Sequence, residues 1–381
     1  MGALRHMKMW QATVASAMAM LFAGCDVEPP LHLPTSFPVH VNVIYHEIDL
    51  NVMWQVNWRA EWQFDWNETA WGPLGYTVPS GVRMHLYTLG DNDEVKYYNK
   101  YNFAGMSGEV PIKVGVHNML FHNNDTEYII YNSDSELSPI SVTTRVIAKG
   151  LQPAKPVQAV SSRTDSQPAS VTIDEKVVNA PDQLFTLYHP KYVVTDDYRD
   201  YQLIDGKYVA VLNGEITPAT FIYLAQVKLK NNNGRVVGCD NGAAITGMSN
   251  TVMLNTGMTG EDAVSVKFEM RFQESDGTRP DMLGGRVMTF GMCGIEPYDK
   301  STIPDTPKEK NYLVLNITYK NGSSQNIQVD VTDQVAKLPT GGVITVELDV
   351  DDFPMPDAGK SGGFAADIVD WDDTEADYTI D

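Results

Sequence analysis

Eight histidines, three cysteines and several acidic clusters are the side chains of this 381-residue chain best suited to chemistry. Their spacings do not assemble a reaction centre. His40 with His46, or His117 with His122, could offer metal ligands, but no His-Glu-x-x-His spacing or Cys/His cluster supports them. Gly247-Met248-Ser249-Asn250 lacks the closing glycine of a nucleophile elbow. Gly359-Lys360-Ser361 hints at a phosphate loop, yet Pro354 stands where that loop needs its first glycine. Asp91, Asp93 and Glu94 are read as a hairpin turn, since the full calcium loop of an EF-hand is missing. Asp349, Asp351, Asp352 and Asp357 are read as a solvated acidic face. Cys239 and Cys293 are either buried free thiols or a pair formed in an oxidising compartment, and spacing alone leaves this open. The expectation is a protein that is not an enzyme, with no cofactor and no metal.

The third cysteine is different. Arg5, His6 and Lys8 precede an apolar run from about Ala12 to Ala23, which ends in Ala23-Gly24-Cys25. The run is shorter than the roughly 20 residues of a membrane-spanning helix and has the length of a signal-peptide core. Small residues directly before a cysteine resemble a bacterial lipobox. That resemblance implies cleavage after Gly24 and acylation of Cys25, including palmitate, with the membrane as partner through those chains.

The most pronounced pattern lies between Val52 and Trp66. Val52, Trp54, Val56, Trp58, Ala60, Trp62, Phe64 and Trp66 alternate with mostly polar residues, which predicts one strand with a dry face. The tryptophans recur every four residues, so a helical stripe fits them as well. The alternation of the remaining positions favours a strand, bent or broken because of its length. Trp54, Trp58, Trp62 and Trp66 then form either a core wall or a stacking platform for sugar rings.

The elements around these residues read as β throughout. Val39, Val41 and Val43 alternate with polar neighbours, and further short alternating runs follow at turn-punctuated intervals to Val350. A short helix is expected from Ala180 to Leu187, another helical turn at Thr332–Val335, and a linker over Lys149–Ser170. Lys320-Asn321-Gly322 supplies a hairpin turn. The expected division is a signal peptide (1–24), a proline-rich tether (25–38), an N-terminal β-sandwich with its linker (39–200) and a C-terminal β-sandwich (201–381). A net charge of −21 with no Lys/Arg cluster excludes nucleic acid as a partner.

Several stretches resemble a family of Bacteroidales lipoproteins related to the fimbrillins and their anchoring subunits. They include Phe64-Asp65-Trp66, Gly81-Val82-Arg83-Met84-His85-Leu86-Tyr87 and Leu120-Phe121-His122-Asn123-Asn124-Asp125-Thr126-Glu127. In the second half they include Ala243-Ala244-Ile245-Thr246-Gly247-Met248, Gly284-Gly285-Arg286-Val287-Met288-Thr289-Phe290-Gly291, Asp330-Val331-Thr332-Asp333-Gln334-Val335 and Val369-Asp370-Trp371. The resemblance implies an all-β protein of two transthyretin-like antiparallel sandwiches behind a lipoprotein signal peptide. It implies an outer-membrane, surface-exposed, adhesive role as a fimbria anchor or accessory subunit, with fimbrial subunits or surface glycans as partners. A glycan-binding lipoprotein is the alternative. The first basic residue after Cys25 is Arg59, so an Arg-directed cut has no target in the tether.

Overall fold

The computed structural model describes residues 36–132, 140–164, 166, 168–359 and 365–368. The chain is all-β, arranged as two sandwiches. The first begins with strand β1 (Ser36–Ile44), whose Val39, Val41 and Val43 are buried, as the alternation predicts; the strand starts inside the expected tether and buries Phe37 as well. Strands β2 (Val82–Leu89), β3 (Val95–Phe103), β4 (Ser107–Lys113) and β5 (Gly115–Asn123) follow. One sheet orders Gln202–Ile204, Lys207–Glu215, β1 and β4. The facing sheet orders Thr217–Pro218, Phe185–Val194, β5, β2 and β3. Their inner faces close one core around Val39, Val41, Met84, Phe121 and Phe185.

The second sandwich packs a nine-stranded sheet on a four-stranded one. The four-stranded sheet runs Arg271–Gln273, Asp281–Thr289, Phe221–Lys230, Gly342–Asp349. The hairpin anticipated around Asn321-Gly322 is present, with Tyr312–Tyr319 paired to Ser324–Asp330. Thr332–Val335 is the expected helical turn.

Three expectations are corrected. First, Val52–Trp66 is not a strand. It forms short helical turns, α1 (Leu50–Trp54) and α2 (Trp58–Glu61), followed by α3 (Glu68–Trp71). Asp49 caps α1 by accepting from the Asn51 N–H, and Gln55 ends it in the left-handed region at φ 58°. Asn67 caps α3 in the same manner. Trp54 at the end of α1, Trp58 at the start of α2 and Trp62 just after it all pack into one cluster, while Val52, which the alternation placed on the dry face, is 72% exposed. Second, Ala180–Leu187 is no helix. Asp182 instead accepts from the Glu127 and Tyr128 N–H groups, and a strand starts at Phe185. Third, pairing crosses the division at residue 200. Lys207–Glu215 lies parallel to β1, and Lys176–Asn179 lies parallel to Ala263–Phe268. Part of the expected linker is also stitched down, with Lys155-Pro156 beside Ile327-Gln328.

The tryptophan segment covers the outer face of the second sandwich. Leu50, Trp54, Trp58, Trp62, Phe64 and Leu74 pack on Ile222, Leu224, Met282, Met288 and Val343. Gly284 makes this possible, because a Cβ there would meet the Phe64 ring at 2.2 Å. On the sheet's other face, a Cβ on Gly285 would meet the Glu269 carbonyl at 2.6 Å. The Gly-Gly pair thus has a packing cause on both faces.

Side-chain amides repeatedly make paired bonds to one stretch of backbone. Gln226 accepts from the Gln63 N–H (2.8 Å) and donates to the Glu61 carbonyl (2.7 Å). Gln183 does the same for Thr77, and Gln334 for Thr345. Each satisfies backbone groups, those of loop segments for Gln226 and Gln183 and those of an edge strand for Gln334.

Candidate functional site

The element with the clearest functional consequence is β1, because it is the first described strand and it is interior to its sheet. Val39 to Ile44 pair with Ala210 to Glu215, and Ser36 to Asn42 pair with Lys113 back to Ser107. Its alternate side chains fill the first core, with Val39 fully buried. The groove that a missing first strand would leave is therefore occupied by the chain itself. Cys25 lies outside the described residues, with ten residues between it and Ser36.

Trp54, Trp58 and Trp62 are 6%, 4% and 8% exposed, and Trp66 is half-buried. Trp54 donates to the Thr340 carbonyl at 3.1 Å, and its ring meets Trp58 edge-on at 6.0 Å. Trp66 lies edge-on to Trp71 at 5.2 Å and donates to the Gly72 carbonyl. The stacking platform anticipated as one reading is thus covered at three of its four positions.

The remaining chemistry-bearing residues are tied into structure. The Ser249 hydroxyl donates to the carbonyls of Thr251 and Gly260. Asp93 pairs with Lys191, and Glu94 accepts from the Asn92 N–H. The acidic loop is not simply solvated. Arg163 pairs with Asp349 and Asp352, and Arg235 pairs with Asp351. Cys239 and Cys293 are unpaired thiols, both buried, and burial pushes each up to about 12. Gly359 closes the described stretch, and Lys360-Ser361 lie outside it. His46 sits exposed beside Glu215 at 3.2 Å. Among the described residues, no group of three or more His, Cys, Asp or Glu could hold a metal ion. Among them, too, no helix is long and apolar enough to cross a membrane.

Two features escaped sequence reasoning. His85, on β2, and His122, on β5, form a buried hydrogen-bonded pair with Nε2 atoms 2.9 Å apart. Only the register of β2 against β5 brings them together. Arg286 is half-buried and donates to the Leu74 carbonyl at 2.9 Å, clasping the loop after α3 onto the four-stranded sheet. Burial lowers its guanidinium to about 10, with Tyr76 acting in the opposite direction. A cleft of about 290 Å³ lies where the sandwiches adjoin, lined by Tyr188, Glu215, Asn255, Glu296 and Tyr298 among others.

Comparison with known proteins gives a consistent set of likenesses. A putative adhesin from Bacteroides ovatus is similar at 16% identity and TM-score 0.47, covering 89% of this chain and 97% of its own. Proteins described as putative polysaccharide binding, from Bacteroides thetaiotaomicron, are similar at 10% identity and TM-score 0.42, covering 82% and 90%. The fimbrial anchor protein Mfa2 from Porphyromonas gingivalis is similar at 11% identity and TM-score 0.37, covering 82% and 90%. No curated protein matches the sequence. The profile of one family, described as a domain of unknown function (DUF5119), matches residues 50–269, from α1 to the residues just before Arg271. That match spans more than half of the chain, and the protein belongs to the DUF5119 family.

Proposed function

We propose that this chain is a lipid-anchored cell-surface protein of the outer membrane with an adhesive, structural role, and that it anchors or accompanies a fimbria without entering its polymerising stalk. The observation that carries the reading is β1. Strand addition between subunits needs an open groove, and β1 fills the groove in the first sandwich. The segment from Asp26 to Trp58 holds no Lys or Arg, so a protease specific for basic residues has nothing to cut between Cys25 and β1. The fimbrillin-like motifs, in their order along the chain, support the same role. The test is the N-terminus and mass of the protein recovered from cells. Chains starting at an acylated Cys25 and incorporating labelled palmitate are expected. Soluble chains that start beyond β1 and run as ladders of oligomers would make it a stalk subunit.

A glycan-binding role is the second reading, and one feature favours it. The cleft between the sandwiches combines two tyrosines with Glu215, Glu296 and Asn255, a mix suited to a sugar's apolar face and hydroxyls. Glycan-array binding lost in Tyr298→Ala, with the melting temperature kept, would favour this reading.

A further inference from the structure

The first sandwich has two unlike ends. The chain passes between the sandwiches after Ile44, before Val82, after Asn123, before Phe185 and after Pro218. Register places all five of these positions at one end, since Ile44 is level with Glu215, Val82 with Asn123, and Phe185 with Pro218. The opposite end holds Ser36, where the chain arrives from Cys25. Ser36 is level with Lys113, Val116 with Val193, and Thr88 with both His117 and Tyr97. The turn joining Gln202–Ile204 to Lys207–Glu215 projects at this same end.

That pole concentrates exposed apolar side chains, beside the exposed Asp205 and Lys207 of the turn. Among the described residues, seven of the fourteen exposed large apolar side chains sit there, including Leu203 at 65%, Tyr97 at 58% and Val193 at 56%. Exposed neighbouring Leu and Ile on an edge strand are an aggregation liability unless something covers them. Its charges do not make it a basic patch. Lys191 pairs with Asp93, Lys96 with Glu94 and Arg199 with Asp197, while Lys113 lies over the Tyr97 ring at 4.7 Å. Tyrosines among aliphatic side chains suit the boundary between lipid headgroups and acyl chains. The tether dictates what is near. Ten residues separate Cys25 from Ser36, and even fully extended they reach only about 40 Å.

We propose that this pole is a lipid-docking surface: Leu203, Ile204, Tyr208, Tyr97 and Val193 settle into the interfacial layer of the bilayer to which Cys25 tethers the chain. The proposal rests on Cys25 as the anchor, and it adds an orientation. β1 then points away from the membrane, and the second sandwich stands at the far end. Because the contact is apolar, it tolerates salt and needs no anionic lipid.

The experiment supplies the anchor chemically, so that it does not depend on acylation in the cell. The processed chain is coupled through the Cys25 thiol to a maleimide-bearing lipid in phosphatidylcholine vesicles, while the buried Cys239 and Cys293 stay unreacted. Amide hydrogen exchange is compared between coupled and uncoupled protein. Exchange at 200–209 is expected to slow by roughly threefold or more on coupling, with 234–238 in the far sandwich unchanged. Leu203→Asp combined with Ile204→Asp should abolish the slowing and leave the melting temperature unchanged. Absence of slowing at the pole, or equal slowing at 234–238, overturns the proposal. So does slowing that requires anionic lipid, or slowing in uncoupled protein at rising concentration, which would mean a second copy covers the pole. Missing palmitate at Cys25 in cells would defeat the proposed function and leave the vesicle result standing.

Discussion

His85 and His122 face each other across adjacent strands with their Nε2 atoms 2.9 Å apart, both almost wholly buried. The partners fix the direction of the bonds. His122 Nδ1 lies 2.6 Å from the Asn123 carbonyl, which can only accept, so that nitrogen carries the proton. Neutral His122 therefore accepts at Nε2 from His85, and His85 Nδ1 accepts from the Tyr98 hydroxyl at 2.8 Å. Desolvation, and then the neighbouring His85, push His122 down to about 3. The unfolded chain takes up a proton near pH 6.5 that the folded chain refuses, so stability falls as the pH drops from about 6.5 toward 3. The loss is about 1.4 kcal/mol per pH unit from this one group. Denaturant midpoints of the wild type and His122→Gln, taken at pH 7 and pH 4.5, check this. The variant should show the shallower decline, and equal declines would remove His122 as the cause.

The tryptophans separate by their indole nitrogens. Trp54 donates to Thr340, whereas the buried Trp62 nitrogen has no acceptor among the described residues. Trp54→Phe should cost about 1–2 kcal/mol more than Trp62→Phe, since only the first breaks a bond and strands a carbonyl. Truncating Trp58 to Ala should cost about 3–5 kcal/mol. Thermal melts of the three variants decide it, and unchanged stability with lost glycan binding would speak for a sugar platform.

Gly284→Ala tests the seat of Phe64. The new methyl would intrude on a ring that is 3% exposed, so about 1–3 kcal/mol should be lost. The double variant with Phe64→Leu should recover part of that loss. A Gly284→Ala protein as stable as the wild type would mean that the tryptophan segment lifts freely.

Both thiols should be inert while the protein is folded. Burial raises Cys239 and Cys293 to about 12, so almost no thiolate exists at neutral pH. Alkylation at pH 8 should label neither without denaturant and both with it. Fast labelling of the native protein would show that one of them opens to solvent.

The strands were legible in the sequence wherever one face is dry and the other wet, as in β1. The tryptophan segment was not, because a four-residue spacing is also a two-residue spacing. Trp54, Trp58 and Trp62 satisfy both periods, and the caps at Asp49 and Asn67, with the left-handed Gln55, decide for helix. The exchange of strands across residue 200 had no local signal, since parallel pairing of β1 with Lys207–Glu215 joins segments far apart in the chain. For the same reason the sequence sets His122 beside His117 and gives no sign of its pairing with His85. The packing role of Gly284 was visible only as a Gly-Gly motif.

The position of β1 has a mechanical consequence. A pull on the residues before Ser36 acts along the strand's length, while its hydrogen bonds to both neighbours run across it. The bonds to Lys207–Glu215 and to β4 are then loaded together in shear, and cannot be opened one after another like a zipper. Force-driven loss of β1 is set by the rate of crossing that shared barrier. A body dragged by flow against an N-terminal leash would hold its first strand by the same ladder that completes its core.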